Sequence, residues 1–182
     1  MKKLLAIMAV AISTSAVAGD KIELGYRYDD KQNSSADSRN VTIGWNTDIN
    51  KNFTWGLDAN LAQRTTDDRV TNRLATSLTG SYNMFYVSAK VGEKFQSGSD
   101  STSFWVVEPG VKFKLSENLG AKVGYSYRQA FSKTVDDDLK GVRLALDYKL
   151  TKEYGIGLKY DLMEDSAGIK TDRYGITISK RF

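Results

Sequence analysis

The chain lacks cysteine and histidine, and it contains a single proline in 182 residues. Without cysteine there are no disulfides, thiolate nucleophiles or zinc–thiolate sites, and without histidine the commonest general base is missing. Only one long apolar run is present, which excludes a bundle of transmembrane helices, each needing about 20 apolar residues. The formal net charge of +4 is small for a nucleic-acid-binding protein. We therefore expect no enzyme, no cofactor and no nucleic-acid partner.

The single apolar run lies at the start of the chain. Lys2 and Lys3 precede the apolar stretch 4–12, and Ala16-Val17-Ala18 forms a small-x-small cleavage site. This stretch is too short for a membrane anchor. We predict that residues 1–18 are a removed signal peptide and that residues 19–182 form one domain, with 24 Lys and Arg against 22 Asp and Glu.

Beyond this segment, apolar and polar residues alternate over the whole chain, and no stretch has a helical period. Short connectors alternate with longer ones, as in a transmembrane barrel with tight turns at one end and longer loops at the other. The pattern predicts an all-β, antiparallel up-and-down transmembrane barrel of ten strands, or of eight or twelve if a run is misassigned. Pro109 lies within a run, and we expect a bulge there because proline cannot donate to the ladder. The ten runs are Lys21–Tyr28, Ser38–Ile49, Phe53–Arg64, Val70–Tyr82, Met84–Phe95, Ser103–Leu115, Leu119–Phe131, Leu139–Leu150, Tyr154–Met163 and Thr171–Phe182.

The distribution of aromatic residues and glycines favours a membrane barrel over a soluble sandwich. Trp and Tyr cluster near the ends of the runs, as interfacial girdles do. Eleven of the 15 glycines lie on the polar face. A face exposed to bulk solvent would gain little from this loss of β propensity, whereas glycines facing a lumen would leave free cross-section.

The polar face is strongly basic, with 14 Lys and Arg against the five acids Glu23, Asp58, Glu108, Asp147 and Asp161. The longer connectors instead hold 11 acids, among them Asp29, Asp67 and Asp136 to Asp138. About nine lumenal cations would then have no lumenal acid, which favours a channel for small anions. The alternative is a non-conducting structural or surface-interaction barrel with a salt-bridged interior. The predicted lumen-lining, substrate-contacting residues are Arg27, Arg64, Arg73, Lys90, Lys94, Lys122, Arg128, Arg143, Lys159 and Arg173.

The acids of the longer connectors allow two interpretations. Carboxylates at the outer rim would suit Ca²⁺ or Mg²⁺ that bridge lipopolysaccharide phosphates. Asp is also a common former of solvated turns, which is the interpretation we favour.

The last run places Tyr174, Ile176 and Ile178 on one face and ends at Phe182. This pattern resembles the C-terminal signature by which the assembly machinery recognises Gram-negative outer-membrane barrels. Lys180 departs from it, because that position is usually apolar. The resemblance implies a bacterial outer-membrane protein in contact with membrane lipid and lipopolysaccharide.

Several segments also resemble the small monomeric porins specific for oligogalacturonate. They are the opening strand Ile22–Tyr28, the segment Val107-Glu108-Pro109-Gly110, the segment Leu146–Leu150 with its turn Thr151–Tyr154, and the closing strand. The resemblance implies a monomeric channel whose lumenal Arg and Lys contact the carboxylates of an acidic oligosaccharide. It also implies twelve strands, whereas the alternation predicts ten.

Overall fold

The computed structural model describes residues 19–182 except 33–36, 68, 97, 99, 133 and 136. The predicted signal peptide, residues 1–18, lies outside the described residues. No helix in the described part of the chain is long and apolar enough to cross a membrane. The strands are β1 (Asp20–Lys31), β2 (Ser38–Asp48), β3 (Phe53–Arg64), β4 (Val70–Tyr82), β5 (Phe85–Gln96), β6 (Thr102–Lys114), β7 (Leu119–Ala130), β8 (Leu139–Lys149), β9 (Tyr154–Asp165) and β10 (Lys170–Arg181).

Each strand pairs antiparallel with its neighbours in sequence, and β1 pairs with β10 to close the barrel. Closure leaves no strand edge with unpaired backbone groups. The prediction of ten strands is confirmed for the described residues, and the alternatives of eight and twelve are wrong. Strand β1 is longer than predicted, since it continues past Tyr28 to Lys31.

Four tight connections lie at one end of the barrel together with both ends of the described chain, and we call this the turn end. Three of the four turns are closed by a side chain that accepts hydrogen bonds from the backbone two and three residues later: Asn50, Ser116 and Thr151. Such Asx and ST turns stabilise a reversal locally. The fourth turn contains Asn83 at φ 52°, a conformation that asparagine tolerates better than most residues. The longer connectors lie at the opposite end, which we call the loop end.

Pro109 does not produce the predicted bulge. Its pairing with Val87 on β5 continues without a break. On the β7 side the pairing stops after Val107↔Tyr127 and resumes at Gly110↔Gly124 with the same offset. No extra residue has been inserted, so the proline interrupts the ladder on one side without shifting the register. The missing N–H accounts for this interruption.

The outer surface is apolar and the inner surface polar, the inverse of a water-soluble barrel. Leu24 and Ile178 are 55% and 57% exposed, whereas Asn40 and Asp161, on the inner face, are 1% and 4% exposed. Aromatic pairs lie near both ends of this apolar surface. Trp45 and Trp55 pack edge to face near the turn end, and Tyr160 and Tyr174 pack near the loop end. This arrangement matches the two aromatic girdles of membrane barrels.

Candidate functional site: the basic lumen

All ten predicted lumen-lining residues lie on two cavities of the barrel interior. The larger cavity, about 400 Å³, occupies the middle of the barrel, and the smaller, about 260 Å³, is a vestibule at the loop end. The predicted residues on the larger cavity are Arg27, Arg73, Lys90, Lys122, Arg128, Arg143, Lys159 and Arg173. Those on the vestibule are Arg64, Arg73, Lys94 and Arg173. Their contact with a solute stays a prediction.

Arg73 and Arg173 line both cavities and therefore stand between them. With Arg27 and Arg128 they form a group that we call the arginine layer. The four guanidinium groups are close enough to interact electrostatically with one another. Strands β1, β4, β7 and β10 each supply one of them. Any solute passing between the vestibule and the central cavity has to pass this layer.

One carboxylate serves two members of the arginine layer. Asp29 Oδ1 lies 2.5 Å from Arg27 Nε, and Asp29 Oδ2 lies 3.6 Å from Arg173 Nε. Arg27 Nη2 also donates to Asn40 Oδ1 at 3.2 Å. Asp29 was predicted to lie in a loop, and its position in the lumen corrects that assignment. The error came from ending β1 at Tyr28. The strand continues to Lys31, so Asp29 lies on the same lumenal face as Glu23 and Arg27.

Arg73 differs from its three neighbours. No described carboxylate lies within 4.0 Å of its guanidinium. Its Nε is buried without a hydrogen-bond partner among the described residues, a feature that it shares with Arg128 and Arg173. Asp29 and Asp58 act on it only from a longer distance. A buried guanidinium without a paired anion is unfavourable, and an anionic ligand relieves this cost.

A second carboxylate comes from the connector between β7 and β8. Asp137 Oδ1 lies 2.6 Å from Lys94 Nζ, and Asp137 Oδ2 pairs with Arg128 Nη2. The Arg128 guanidinium also lies 4.5 Å from the centroid of the Phe104 ring. Sequence alternation missed this contact, because an acid within a connector has no strand parity.

One side of the lumen is filled by a connected network across β5, β6, β8 and β9. The Tyr86 hydroxyl donates to Glu108 Oε1 at 2.8 Å, and Arg143 donates to Glu108 at 2.7 Å and to Asp161 at 3.1 Å. Tyr86 is 8% exposed. Arg143 is thus balanced by two carboxylates and offers little free positive charge to a solute.

The remaining predicted residues differ in their pairing. Lys90 lies 2.5 Å from Asp58, Lys122 lies 2.9 Å from Asp147, and Arg64 lies 3.3 Å from Asp67 at the mouth. Lys159 makes no ion pair with any described residue within 4.0 Å. Among the ten predicted lumen-lining residues, Arg73 and Lys159 are therefore the two without an ion pair to a described residue.

This pairing corrects the expected surplus of about nine unpaired lumenal cations. Nine of the 14 bases on the inner face have a carboxylate within 4.0 Å, so five have none among the described residues. Asp29, Asp48, Asp67 and Asp137 supply pairs that parity had not assigned to the lumen. Four of the five unpaired bases, Lys112, Lys114, Lys149 and Lys159, are lysines, and the fifth is Arg73.

The structure also bears on the predictions for the loop acids and for the glycines of the inner face. Among the described residues, no group of three or more acids is arranged to hold a metal ion. Asp67 and Asp165 accept backbone hydrogen bonds in their own turns, as turn formers do. Gly110 and Gly124 do not widen the lumen, because the Tyr86 ring fills the space beside them.

No protein-family model matches the chain, and no curated protein matches it in sequence. Solved structures do match. The translocator domain of the autotransporter NalP from Neisseria meningitidis superposes with a TM-score of 0.54 at 8% identity, covering 100% of this chain and 94% of that one. The NanC porin gives a TM-score of 0.52 at 9% identity, covering 87% and 100%.

A third match is the KdgM porin in complex with disordered oligogalacturonate, with a TM-score of 0.51 at 12% identity, covering 88% of this chain and 99% of that one. The chain has the fold of bacterial outer-membrane barrels. At these identities the likeness establishes the fold alone. The matching structures include an oligogalacturonate porin, the kind of protein that the sequence resembles. The expected outer-membrane localisation and the non-enzymatic interpretation agree with this fold.

The predicted assembly signal lies on β10 and faces outward. Tyr174, Ile176 and Ile178 are exposed, and Phe182 follows the end of the strand. The Lys180 ammonium lies 4.7 Å from the centroid of the Phe182 ring and 5.8 Å from that of Tyr154. The basic residue that departs from the signature is thus accommodated over two aromatic rings at the turn end.

Proposed function

We propose that this barrel is an outer-membrane channel through which small anionic solutes, acidic oligosaccharides among them, diffuse passively. The turn end faces the periplasm and the loop end the exterior, as is general for outer-membrane barrels. The apolar outer surface contacts membrane lipid and lipopolysaccharide, and the C-terminal strand is presented to the assembly machinery. Since closure leaves no free strand edge, we propose that the barrel acts as a monomer.

The unpaired guanidinium of Arg73 between the two cavities carries this proposal. An anion that moves from the vestibule to the central cavity reaches Arg73 with three further arginines around it. Guanidinium groups bind carboxylates in a bidentate manner and hold their charge at any physiological pH. The apolar barrel wall strengthens the field of these charges on an ion in the lumen.

Beyond the arginine layer, Lys159 and Lys122 continue the basic lining toward the turn end. Lys112, Lys114 and Lys149 follow on the inner face near that end. Lysine suits this part of the route, because a flexible ammonium attracts an anion without fixing it in one geometry. A solute would therefore be bound most specifically at the arginine layer and more loosely below it.

The experiment is planar-bilayer recording with the purified barrel in a KCl gradient. A channel with this lumen gives stepwise currents and a reversal potential shifted from zero toward the equilibrium potential of chloride. A reversal potential shifted toward the equilibrium potential of potassium refutes the anion preference, and the absence of current refutes the channel function.

The second candidate function is a non-conducting structural barrel. The network of Tyr86, Glu108, Arg143 and Asp161 favours it, because these side chains fill one side of the lumen. It predicts no current from a correctly folded barrel, whose folding is checked by the β-sheet circular dichroism of the same preparation. The two functions therefore give opposite results in one experiment.

A further inference from the structure

Asp137 marks a place in the lumen where a carboxylate is bound by two bases. Its Oδ1 accepts from Lys94 at 2.6 Å, and its Oδ2 pairs with Arg128. We propose that Lys94 and Arg128 form a carboxylate-binding site of the channel, and that Asp137 occupies it as a tethered competitor of the solute. This inference rests on the proposed channel function and names the group by which the solute is held.

The site is built by the barrel wall. Lys94 comes from β5 and Arg128 from β7, and Arg128 packs against Phe104 on β6 between them. The side chains of Lys94, Arg128 and Asp137 are 18%, 8% and 10% exposed. Two bases from different strands therefore hold a fixed and largely desolvated position, where a charge-assisted pair is strong.

The occupant does not belong to the wall. Asp137 lies in the connector between β7 and β8, and the site would accept any carboxylate that presents its two oxygens in the same way. The described hydrogen bonds of this connector are mostly internal, such as Val135 N to Ser132 O at 3.3 Å. Phe131 N donates to Ser103 O at 3.0 Å, which ties the start of the connector to strand β6. Withdrawal of Asp137 thus requires the loss of its own ion pairs and little other described structure.

The charge around the site favours exchange. Asp137 pairs with both bases, whereas Asp138 acts on Arg128 only from a longer distance. Arg73 adds further positive charge, since it interacts electrostatically with both Lys94 and Arg128. A second anion is therefore attracted even while Asp137 is bound. A solute with several carboxylates has an additional advantage, because it can bind the Lys94 and Arg128 site and the unpaired Arg73 together.

The competition has a definite scale. A short flexible tether gives its group an effective concentration in about the millimolar range. Asp137 therefore reduces the apparent affinity for a free carboxylate. The apparent affinity equals the intrinsic affinity multiplied by the fraction of time in which the site is vacant. Removal of the Asp137 charge should raise that affinity, whereas removal of a neighbouring charge that is not paired with the two bases should raise it much less.

The test uses succinate as the probe and its block of the chloride current through single channels in bilayers. Asp137→Asn should lower the half-blocking succinate concentration about tenfold relative to the wild type, as expected when a site is vacant about one-tenth of the time before the change. Asp138→Asn is the matched control. It removes the same charge from the adjacent residue, whose carboxylate accepts from Gln129 at 3.4 Å and acts on Arg128 without pairing with it. It should lower the half-blocking concentration much less than Asp137→Asn does, because it leaves Asp137 in the site.

A double variant separates the site from its net charge. Asp137→Asn with Lys94→Gln has the net charge of the wild type but lacks one of the two bases, so its tight block should be lost. Equal half-blocking concentrations in Asp137→Asn and Asp138→Asn overturn the proposal, as does tight block that survives in the double variant. In either case the chloride current persists and the proposed channel function stands, whereas a lack of current in every folded variant removes both. If Asp137→Asn does not fold, as judged by circular dichroism, Asp137→Ser takes its place.

Discussion

Tyr86 reaches along the inner wall of the barrel to Glu108 and donates its hydroxyl hydrogen bond over 2.8 Å. Two glycines make room for it. A Cβ on Gly124 would lie 2.4 Å from the Tyr86 hydroxyl oxygen, and a Cβ on Gly110 would lie 2.5 Å from its ring carbon Cε1. The position of the ring thus depends on two residues whose importance lies in having no side chain.

Gly124→Ala should therefore destabilise the barrel by about 1–3 kcal/mol, the usual cost of forcing extra atoms into a packed site. Urea unfolding of the barrel in lipid vesicles measures this change. The matched control is Gly120→Ala on the same strand and face, where a Cβ would meet its nearest atom, Phe113 O, at 3.6 Å. The penalty at Gly124 should also be smaller in a Tyr86→Phe background, since the clashing oxygen is then absent. An equal penalty with and without the hydroxyl would contradict this explanation.

Part of the lumenal lining could be predicted from the sequence. Strand parity alone placed Arg73, Lys90 and Arg143 on the inner face, because alternation is a local property of the backbone. It would also have placed Asp29 there if β1 had been extended by three residues. Asp137 lay beyond its reach, since the position of a connector residue depends on the tertiary structure. Parity also could not reveal that Arg73 lacks a partner while Arg143 has two.

The C-terminal residue joins the two ends of the described chain. Phe182 N donates to Asp20 O at 2.9 Å, and Gly19 N donates to Phe182 O at 3.1 Å. Deletion of Phe182 should reduce the amount of barrel assembled in the outer membrane of cells severalfold, if its ring is part of the assembly signal. The same variant should refold in detergent with near wild-type yield, because only the last of many strand contacts is lost. Equal losses in cells and in detergent would instead assign Phe182 a purely structural role.

The three tryptophans test how the barrel lies in a membrane. Trp45 and Trp55 lie near the turn end, with ring centroids 5.3 Å apart, while Trp105 packs against Tyr127 near the loop end at 5.5 Å. We expect the tryptophan fluorescence of variants that keep only Trp105 or only Trp45 to be quenched most strongly by lipids brominated near the headgroup, since tryptophan prefers the interface. Strongest quenching by lipids brominated near the bilayer centre would contradict the assignment of these rings to two interfacial girdles.

Arg73 determines the expected ion selectivity. Arg73→Gln removes the one arginine of the layer that has no described carboxylate within 4.0 Å, so its field is not cancelled nearby. The chloride-to-potassium permeability ratio, taken from reversal potentials, should fall about threefold or more in this variant, because the low-dielectric wall focuses that charge on the passing ion. Lys149→Gln removes the same charge from an exposed residue at the turn end. There water and salt screen the charge over about 10 Å at 0.1 M ionic strength, and the ratio should change little. If the two variants shift the ratio equally, selectivity follows the total lumenal charge, and the arginine layer has no special part in it.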